Sequence, residues 1–150
     1  MATTANRPVS TRRTSFTRSV LAGAFAGLGG GIVFGLLMAV TGMLPTIGEV
    51  FGVKDAVPAF FAHLFVSAFI GAAYGIVARP LPLSKRTHLV AGLLNGLFWW
   101  VVGGLVMIPI GLGEMDLMLK VGSAQLMSLV GHILYGIVTG VLFVPIIKKM

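Results

Sequence analysis

The chain has 150 residues, of which 57% are hydrophobic and 10% are charged, and its mean hydropathy is +1.00. This balance lies far outside that of a soluble globular domain, so the composition predicts an integral membrane protein. A net charge of +7 is also typical of nucleic-acid binders. Here the basic residues flank apolar segments, where membrane orientation and anionic lipid headgroups explain them. We therefore expect no nucleic-acid partner.

The chain begins with a basic segment, residues 1–18, which we expect to be a flexible cytoplasmic tail. Four apolar segments follow, each long enough to cross a hydrocarbon core of about 30 Å at about 20 residues per helix. They comprise residues 19–42, 59–78, 89–110 and 123–147. A short basic end, residues 148–150, closes the chain. The pattern predicts an all-α fold, a four-helix transmembrane bundle over residues 19–147 with the lipid bilayer as its environment.

Charge placement predicts the orientation of the bundle. Nine basic residues lie before the first span, between the second and third, or after the fourth: Arg7, Arg12, Arg13, Arg18, Arg79, Lys85, Arg86, Lys148 and Lys149. The other two connections carry only Lys54 and Lys120. The positive-inside rule therefore places both termini in the cytoplasm. Of these nine residues, all except Arg7 are expected near lipid headgroups. A bacterial inner membrane is the expected location, and an organelle transit peptide is the alternative interpretation of the Arg- and Ser/Thr-rich start.

Two segments of the chain resemble each other. "MLPTIGE", residues 43–49, follows the first span, and "MIPIGLGE", residues 107–114, follows the third. A histidine then occurs in the next span of each half, at His63 and His132. A unit of two spans returns the chain to its starting side, so the pattern predicts two parallel repeats of two helices each, with both histidines at similar depth in the outer half of the membrane.

Small residues recur at four-residue steps in every span, and residues four apart share a helix face. They are Gly23, Gly27, Gly31 and Gly35 in the first span, Ser67, Gly71 and Gly75 in the second, Gly92 and Gly96 in the third, and Gly136 and Gly140 in the fourth. The hydrophobic effect does not drive association of helices within lipid. Van der Waals contact between closely packed backbones, which small residues permit, is a main driving force instead. We expect these residues to pack helix against helix.

The two intramembrane histidines are the candidate functional pair, because an ionisable group within a span usually faces the bundle interior or a wet cavity. Three interpretations stay open. Each imidazole of His63 and His132 is neutral and hydrogen-bonds a neighbouring helix, for example a backbone carbonyl or Asn95. Alternatively, the pair titrates near its unperturbed pKa of about 6.5, as an acid sensor or proton relay. In the third, the two residues are axial ligands of one haem iron.

The remaining polar residues offer few further candidates for a functional role. Four acidic residues, Glu49, Asp55, Glu114 and Asp116, are expected on the outer face, where they could assist titration of the histidines. His88 follows Lys85 and Arg86 and is expected to be an anchor at headgroup level. Two histidines are too few donors for a zinc site, and the chain has no cysteine, so we expect no metal.

The outer connections are too apolar for solvated loops, which favours short amphipathic helices or docking surfaces for another subunit.

A set of residues in the middle of the chain resembles the YagU-like family of bacterial inner-membrane proteins. The resemblance covers about residues 61–135 and rests on H-x7-G-x2-Y from His63 to Tyr74, Pro80, "GLLNG" at 92–96, Pro109, Gly111, Glu114 and "GH" at 131–132. It implies a small inner-membrane protein without established enzymatic activity, connected with acid tolerance. The chain lacks the long cysteine-containing outer loop of that family.

The leading functional prediction is a non-enzymatic membrane protein, because no nucleophile motif or H-E-x-x-H spacing occurs in the chain. We expect it to act as an accessory or structural subunit with other membrane subunits as partners, or as a homo-oligomer. The alternative is a small proton or solute conduit, or an acid-responsive membrane protein, that uses His63 and His132. A second alternative is a bis-histidine subunit that binds haem b, and no other cofactor is expected.

Overall fold

A computed structural model describes residues 14–150, and this part of the chain is helical. It contains α1 (Phe16–Thr41), α2 (Leu44–Val50), α3 (Ala56–Val77), α4 (Lys85–Trp99), a π-helical segment (Trp100–Met107), α5 (Ile108–Leu112), a 3-10 turn (Met115–Leu117) and α6 (Ser123–Lys149). Helix α4, the π-helical segment and α5 form one continuous rod over Lys85–Leu112. Together with α1, α3 and α6, this rod gives four helices that are long and apolar enough to cross a membrane.

The helices begin or end up to four residues away from the predicted apolar spans, and polar side chains cap the early starts of α1 and α4. The Ser15 side chain accepts a hydrogen bond from the Arg18 backbone N–H at 3.2 Å, so α1 starts before the apolar run. Ser84 caps α4 in the same way, accepting from the Thr87 N–H at 3.1 Å. Such side-chain acceptors satisfy N–H groups that have no partner within the helix. Gly42, with φ of 72°, ends α1 in a left-handed conformation that suits glycine.

The four long helices form a row of two pairs rather than a closed square. Helix α3 packs along α1, α4 packs along α6, and α1 and α6 pack against each other in the centre. Helices α3 and α4 touch only sparingly. The structure is therefore two antiparallel helix pairs that meet along the α1–α6 interface.

Backbone contact between small residues joins the helices of each pair. In the α1–α3 pair, a Cβ added to Gly23 would lie within 2.9 Å of the Gly75 backbone and would overlap the Gly71 carbonyl oxygen. In the α4–α6 pair, a Cβ on Gly92 would overlap the Gly136 carbonyl oxygen in the same manner. The remaining members of the predicted stripes lie at these two interfaces as well: Gly27, Gly31, Gly35 and Ser67 between α1 and α3, and Gly96 and Gly140 between α4 and α6. Only residues without a bulky side chain allow the two helix backbones to lie this close together.

Helix α1 packs against α6 through a second face that is lined by small residues. A Cβ on Gly30 would lie 2.7 Å from the Tyr135 carbonyl oxygen, and Gly131 on α6 accommodates the Phe34 ring. Three consecutive glycines, residues 29–31, do not interrupt α1, which is continuous. They lie where α3 and α6 both approach the same helix, so glycine is needed on two faces at once.

Charged residues divide between the two ends of the bundle. The end that carries Arg18, Arg79, Lys85, Arg86, Lys148 and Lys149 is called the basic end below. There the Arg18 guanidinium donates to the Ile147 carbonyl at 3.1 Å, and the Arg79 guanidinium lies 5.4 Å from the centre of the Phe16 ring. Glu49, Asp55, Glu114 and Asp116 are exposed at the opposite end, called the acidic end. Arg12 and Arg13, with most of the predicted tail, lie outside the described residues.

The two connections at the acidic end differ in structure. The first contains α2, which buries Leu44 and Gly48 and packs mainly on α3. The second contains only the 3-10 turn, so the prediction of a short amphipathic helix is wrong there. Instead, the connection folds back on the π-helical segment, and the Leu119 N–H donates to the Leu105 carbonyl at 3.0 Å.

Candidate functional site

His63 and His132, which are 69 positions apart in the chain, line one cavity of about 390 Å³. All four long helices contribute to its wall, and α2 contributes Thr46 and Ile47. Its lining includes Gly42 and Ala124, which are exposed where α1 ends and α6 begins. The cavity therefore opens toward the acidic end of the bundle.

His63 is held against α1. Its Nε2 lies 2.9 Å from the Gly31 carbonyl oxygen and 3.4 Å from the Ser67 hydroxyl. A carbonyl oxygen can only accept, so Nε2 carries the proton and donates to Gly31. This is the interhelical hydrogen bond that the first interpretation of the histidines predicts. It forms because Gly35, one turn after Gly31, leaves room for the imidazole beside α1.

His132 is held by its own helix. Its Nδ1 lies 2.8 Å from the Ser128 carbonyl oxygen, one turn earlier in α6, and 3.3 Å from the Ser128 hydroxyl. The carbonyl again accepts, so Nδ1 carries the proton that it donates. Across the cavity wall, Gly104 of the π-helical segment faces the ring, with 3.8 Å between His132 Cε1 and the position a Cβ would take.

Phe34 links the two histidines. Its ring centre lies 5.2 Å from that of His63 and 4.9 Å from that of His132, with edge-to-face geometry in both cases. The Phe34 side chain is 6% exposed and fills the space that Gly131 leaves on α6. The sequence analysis missed this residue, because nothing in its local pattern distinguishes it from a lipid-facing phenylalanine.

The π-helical segment shapes the wall opposite α3. Its wide turn is shown by the Ile108 N–H, which donates to the carbonyl of Gly103, five residues earlier. Gly103 and Gly104 both line the cavity, and no atom lies within 4 Å of a Cβ placed on Gly103. Short π-helical segments occur frequently at functional sites. Here the segment and its two glycines leave open space beside His132.

Packed side chains bound the cavity toward the basic end at Tyr135. Tyr135 lines its inner limit and donates from its hydroxyl to the Ser67 carbonyl at 2.8 Å, which ties α6 to α3. Below this level a packed cluster fills the bundle: Ala22, Ala26, Tyr74, Ala78, Phe143 and Ile147. A second groove adjoins the cavity at Trp99 and runs between α3 and α4 along Tyr74 and Asn95.

The prediction that His88 is a headgroup-level anchor is wrong, because the residue is fully buried. Its Nδ1 lies 2.8 Å from the Tyr74 hydroxyl, and its ring stacks on Phe143 with 4.8 Å between centres. Ser84 starts α4 early enough that His88 lies one turn before Gly92, on the face that packs against α6. This third histidine belongs to the packed cluster and does not line the cavity.

The predicted acidic partners do not reach the histidines. Glu49, Asp55, Glu114 and Asp116 are exposed, and none of them lines the cavity. Asn95, the other predicted partner, lines a separate groove between α3 and α4, and its Nδ2 has no hydrogen-bond partner among the described residues. Within residues 14–150, no group of three or more His, Asp or Glu side chains is placed to hold a metal ion.

The haem interpretation meets a steric obstacle. Axial ligation by two histidines places one imidazole on each side of a macrocycle. Here Phe34 packs edge-to-face against both rings, so a macrocycle held between them would compete for space with its buried side chain. The hydrogen bonds to backbone carbonyls are no obstacle, since a ligating histidine commonly donates its other ring N–H in this way.

Comparisons with protein-family models, curated proteins and solved structures gave no significant match to this chain. The resemblance to the YagU-like family therefore stays a prediction. Any statement about function rests on the geometry of the cavity and on the distribution of charge.

Proposed function

We propose that the chain is a non-enzymatic membrane protein that takes up a small solute in the cavity of His63 and His132. The observation that carries this proposal is that two intramembrane histidines from different halves of the chain line one cavity. Ionisable residues within membrane spans mark substrate or ion sites by default. A volume of about 390 Å³ also falls in the range of small-molecule sites, about 300–1,000 Å³.

The proposal includes a location and an orientation. We infer that the bundle lies in a bacterial inner membrane, with both termini and the basic end in the cytoplasm and the acidic end outside. Support comes from the separation of charge, since the basic side chains of the described residues gather mainly at one end and the acids at the other. The cavity would then receive its solute from the outer side.

Cysteine labelling tests the orientation and the access to the cavity, because the chain has no native cysteine. Met115→Cys at the acidic end and Ser128→Cys in the cavity are expected to react with a charged, membrane-impermeant thiol reagent added to intact cells. Thr139→Cys, buried between α1 and α6, is the control and is expected to stay unlabelled. Labelling of Met115→Cys from the cytoplasmic side only would contradict the orientation. An unreactive Ser128→Cys beside a reactive Met115→Cys would contradict the open cavity.

A side chain that fills the cavity provides the second test. Gly104→Leu is expected to slow labelling of Ser128→Cys at least tenfold, because a Cβ on Gly104 lies 3.5 Å from the Ser128 hydroxyl and the rest of the leucine extends toward it. Gly104→Ala is the matched control. Its single methyl group meets its neighbours at ordinary contact distances, 3.4 Å or more, and we expect labelling to stay within a factor of two. Equal labelling rates for the leucine and alanine variants would show that the reagent does not enter through this cavity.

The two parallel repeats remain part of the proposal. Support comes from the register of the helix pairs: Gly27 faces the Ser67 carbonyl oxygen in the first pair, and Gly92 faces the Gly136 carbonyl oxygen in the second. In each half, the residue four positions after the histidine therefore opposes a glycine of the preceding span. A duplicated two-helix unit accounts for this correspondence.

A second candidate function is that of an accessory subunit or a homo-oligomer. The specific observation is that only 17% of the most apolar window of the Lys85–Leu112 rod is buried, against 44% for α1 and for α6. This rod also leaves the Asn95 amide without a partner beside the groove that it shares with α3. The mass and composition of the complex extracted in mild detergent would decide, since a lone monomer would remove this candidate.

A further inference from the structure

The unused nitrogens of the two histidines define what the cavity can recognise. His63 donates from Nε2 to the Gly31 carbonyl, and His132 donates from Nδ1 to the Ser128 carbonyl. Within residues 14–150, the cavity lining has no acidic side chain to stabilise an imidazolium, and a neutral imidazole has one donor and one acceptor nitrogen. The nitrogens left over, Nδ1 of His63 and Nε2 of His132, are therefore acceptors.

Neither acceptor has a hydrogen-bond partner within residues 14–150. Both rings line the same cavity, and both contact the Phe34 ring edge-to-face. Neither nitrogen is among the fully enclosed unpartnered polar atoms of the described residues, which are His88 Nε2, Asn95 Nδ2 and Thr139 Oγ1, so both remain accessible. A ligand in the cavity that donates a hydrogen bond to each acceptor can therefore pair with both.

The rest of the cavity wall restricts the ligand further. Its lining, within the described residues, contains no Asp, Glu, Lys or Arg side chain that could pair with a charged ligand. Phe34, Trp99 and Tyr135 add aromatic surface, and most of the other lining groups are apolar. A buried charge without a partner is strongly unfavourable, so the wall selects neutral molecules.

We propose that the cavity binds a neutral aromatic molecule that carries hydroxyl donors, of the phenol or hydroquinone class, and that the hydroxyls donate to Nδ1 of His63 and Nε2 of His132. This inference rests on the proposed function, since it names the solute class of the same cavity. Aromatic rings in the wall suit a flat ring, and the cavity volume suits one or two rings with short substituents. Discrimination would come from the hydroxyl groups, because a ligand without them leaves both acceptors unpaired.

The test compares two matched probes on the full chain in lipid nanodiscs: trimethylhydroquinone, kept reduced, and its dimethyl ether, which has the same ring but no donor. We expect calorimetry to give at least tenfold tighter binding of the hydroquinone. His63→Phe and His132→Phe keep a ring but remove the acceptor nitrogen, and each is expected to weaken hydroquinone binding at least tenfold without weakening the ether. Phe65→Leu, on the exposed face of α3, is the control and is expected to bind both probes as the parent does.

A measurement on the unmodified chain keeps the test valid if a histidine variant fails to fold. With ¹⁵N-labelled histidine, the hydroquinone is expected to shift the unprotonated nitrogen signals of His63 and His132 and to leave those of His88 unchanged. Equal affinities for hydroquinone and ether, both lost in Gly104→Leu, would overturn the inference and leave the proposed cavity function standing. Absence of specific binding of either probe, with no effect of Gly104→Leu on labelling, would overturn both.

Discussion

Gly71→Ala and Gly136→Ala are each expected to destabilise the bundle by about 3 kcal/mol or more, enough to remove most of the folded protein. A Cβ on Gly71 would overlap the Gly23 carbonyl oxygen, and one on Gly136 would overlap the Gly92 carbonyl oxygen. Overpacking against mobile side chains costs about 1–3 kcal/mol, and here the obstructing atoms are backbone, which cannot rotate away. Thermal unfolding of the detergent-solubilised protein, followed by circular dichroism, measures the loss.

Gly103→Ala is the matched control for these two variants. It makes the same change within a helical segment, but no atom lies within 4 Å of the new Cβ. Alanine favours helix over glycine by about 1 kcal/mol, so stability is expected to stay the same or to rise slightly. A parent-like melting temperature for Gly71→Ala would show that α1 and α3 do not approach as closely as the structure has them.

Phe34→Ala is expected to destabilise the protein by about 3–5 kcal/mol, the usual range for removing a buried phenylalanine. Phe34 is 6% exposed, supports both imidazoles and fills the space beside Gly131, so its loss also enlarges the cavity. We expect Ser128→Cys to be labelled faster in this background. Unfolding in detergent and the labelling rate provide two independent readouts.

Phe65→Ala serves as the comparison for Phe34→Ala. Phe65 is 73% exposed on the outer face of α3, where lipid or detergent replaces the lost contacts. Its change is expected to stay within about 0.5 kcal/mol, as for substitutions away from packed sites. Similar losses for the two alanine variants would mean that Phe65 is also covered, for example by a second copy of the chain.

The sequence predicted the helices well, because hydropathy over about 20 residues reports directly on the length that a membrane requires. The helix ends were off by up to four residues, since Ser15 and Ser84 extend α1 and α4 into polar sequence. The four-residue steps of glycine placed small residues on common faces without any knowledge of the neighbouring helices. Gly92 and Gly136 lie against each other for this reason.

The cavity could not be predicted, because it depends on which helix lies beside which. The π-helical segment has no distinct hydrophobic period, and the role of Phe34 follows from the position of Gly131 on another helix. The sequence does contain a signal that predicts the burial of His88. It precedes Gly92 and Gly96 at four-residue steps and so shares their interhelical face, which outweighs its position next to Lys85 and Arg86.

The two kinds of interface in the bundle have different mechanical properties. Within each pair, backbone lies directly on backbone at Gly23 and Gly71 and at Gly92 and Gly136, so no rotamer change can absorb a sliding movement. Between the pairs, α1 and α6 approach through their backbones at Gly30, but side chains such as Tyr135 and Leu142 also lie in the interface, and α3 hardly touches α4. Interfaces made of side chains permit small shear displacements by rotamer adjustment. We therefore expect each helix pair to move as a rigid unit. Sliding movement is expected mainly at the α1–α6 interface between the pairs, beside the cavity.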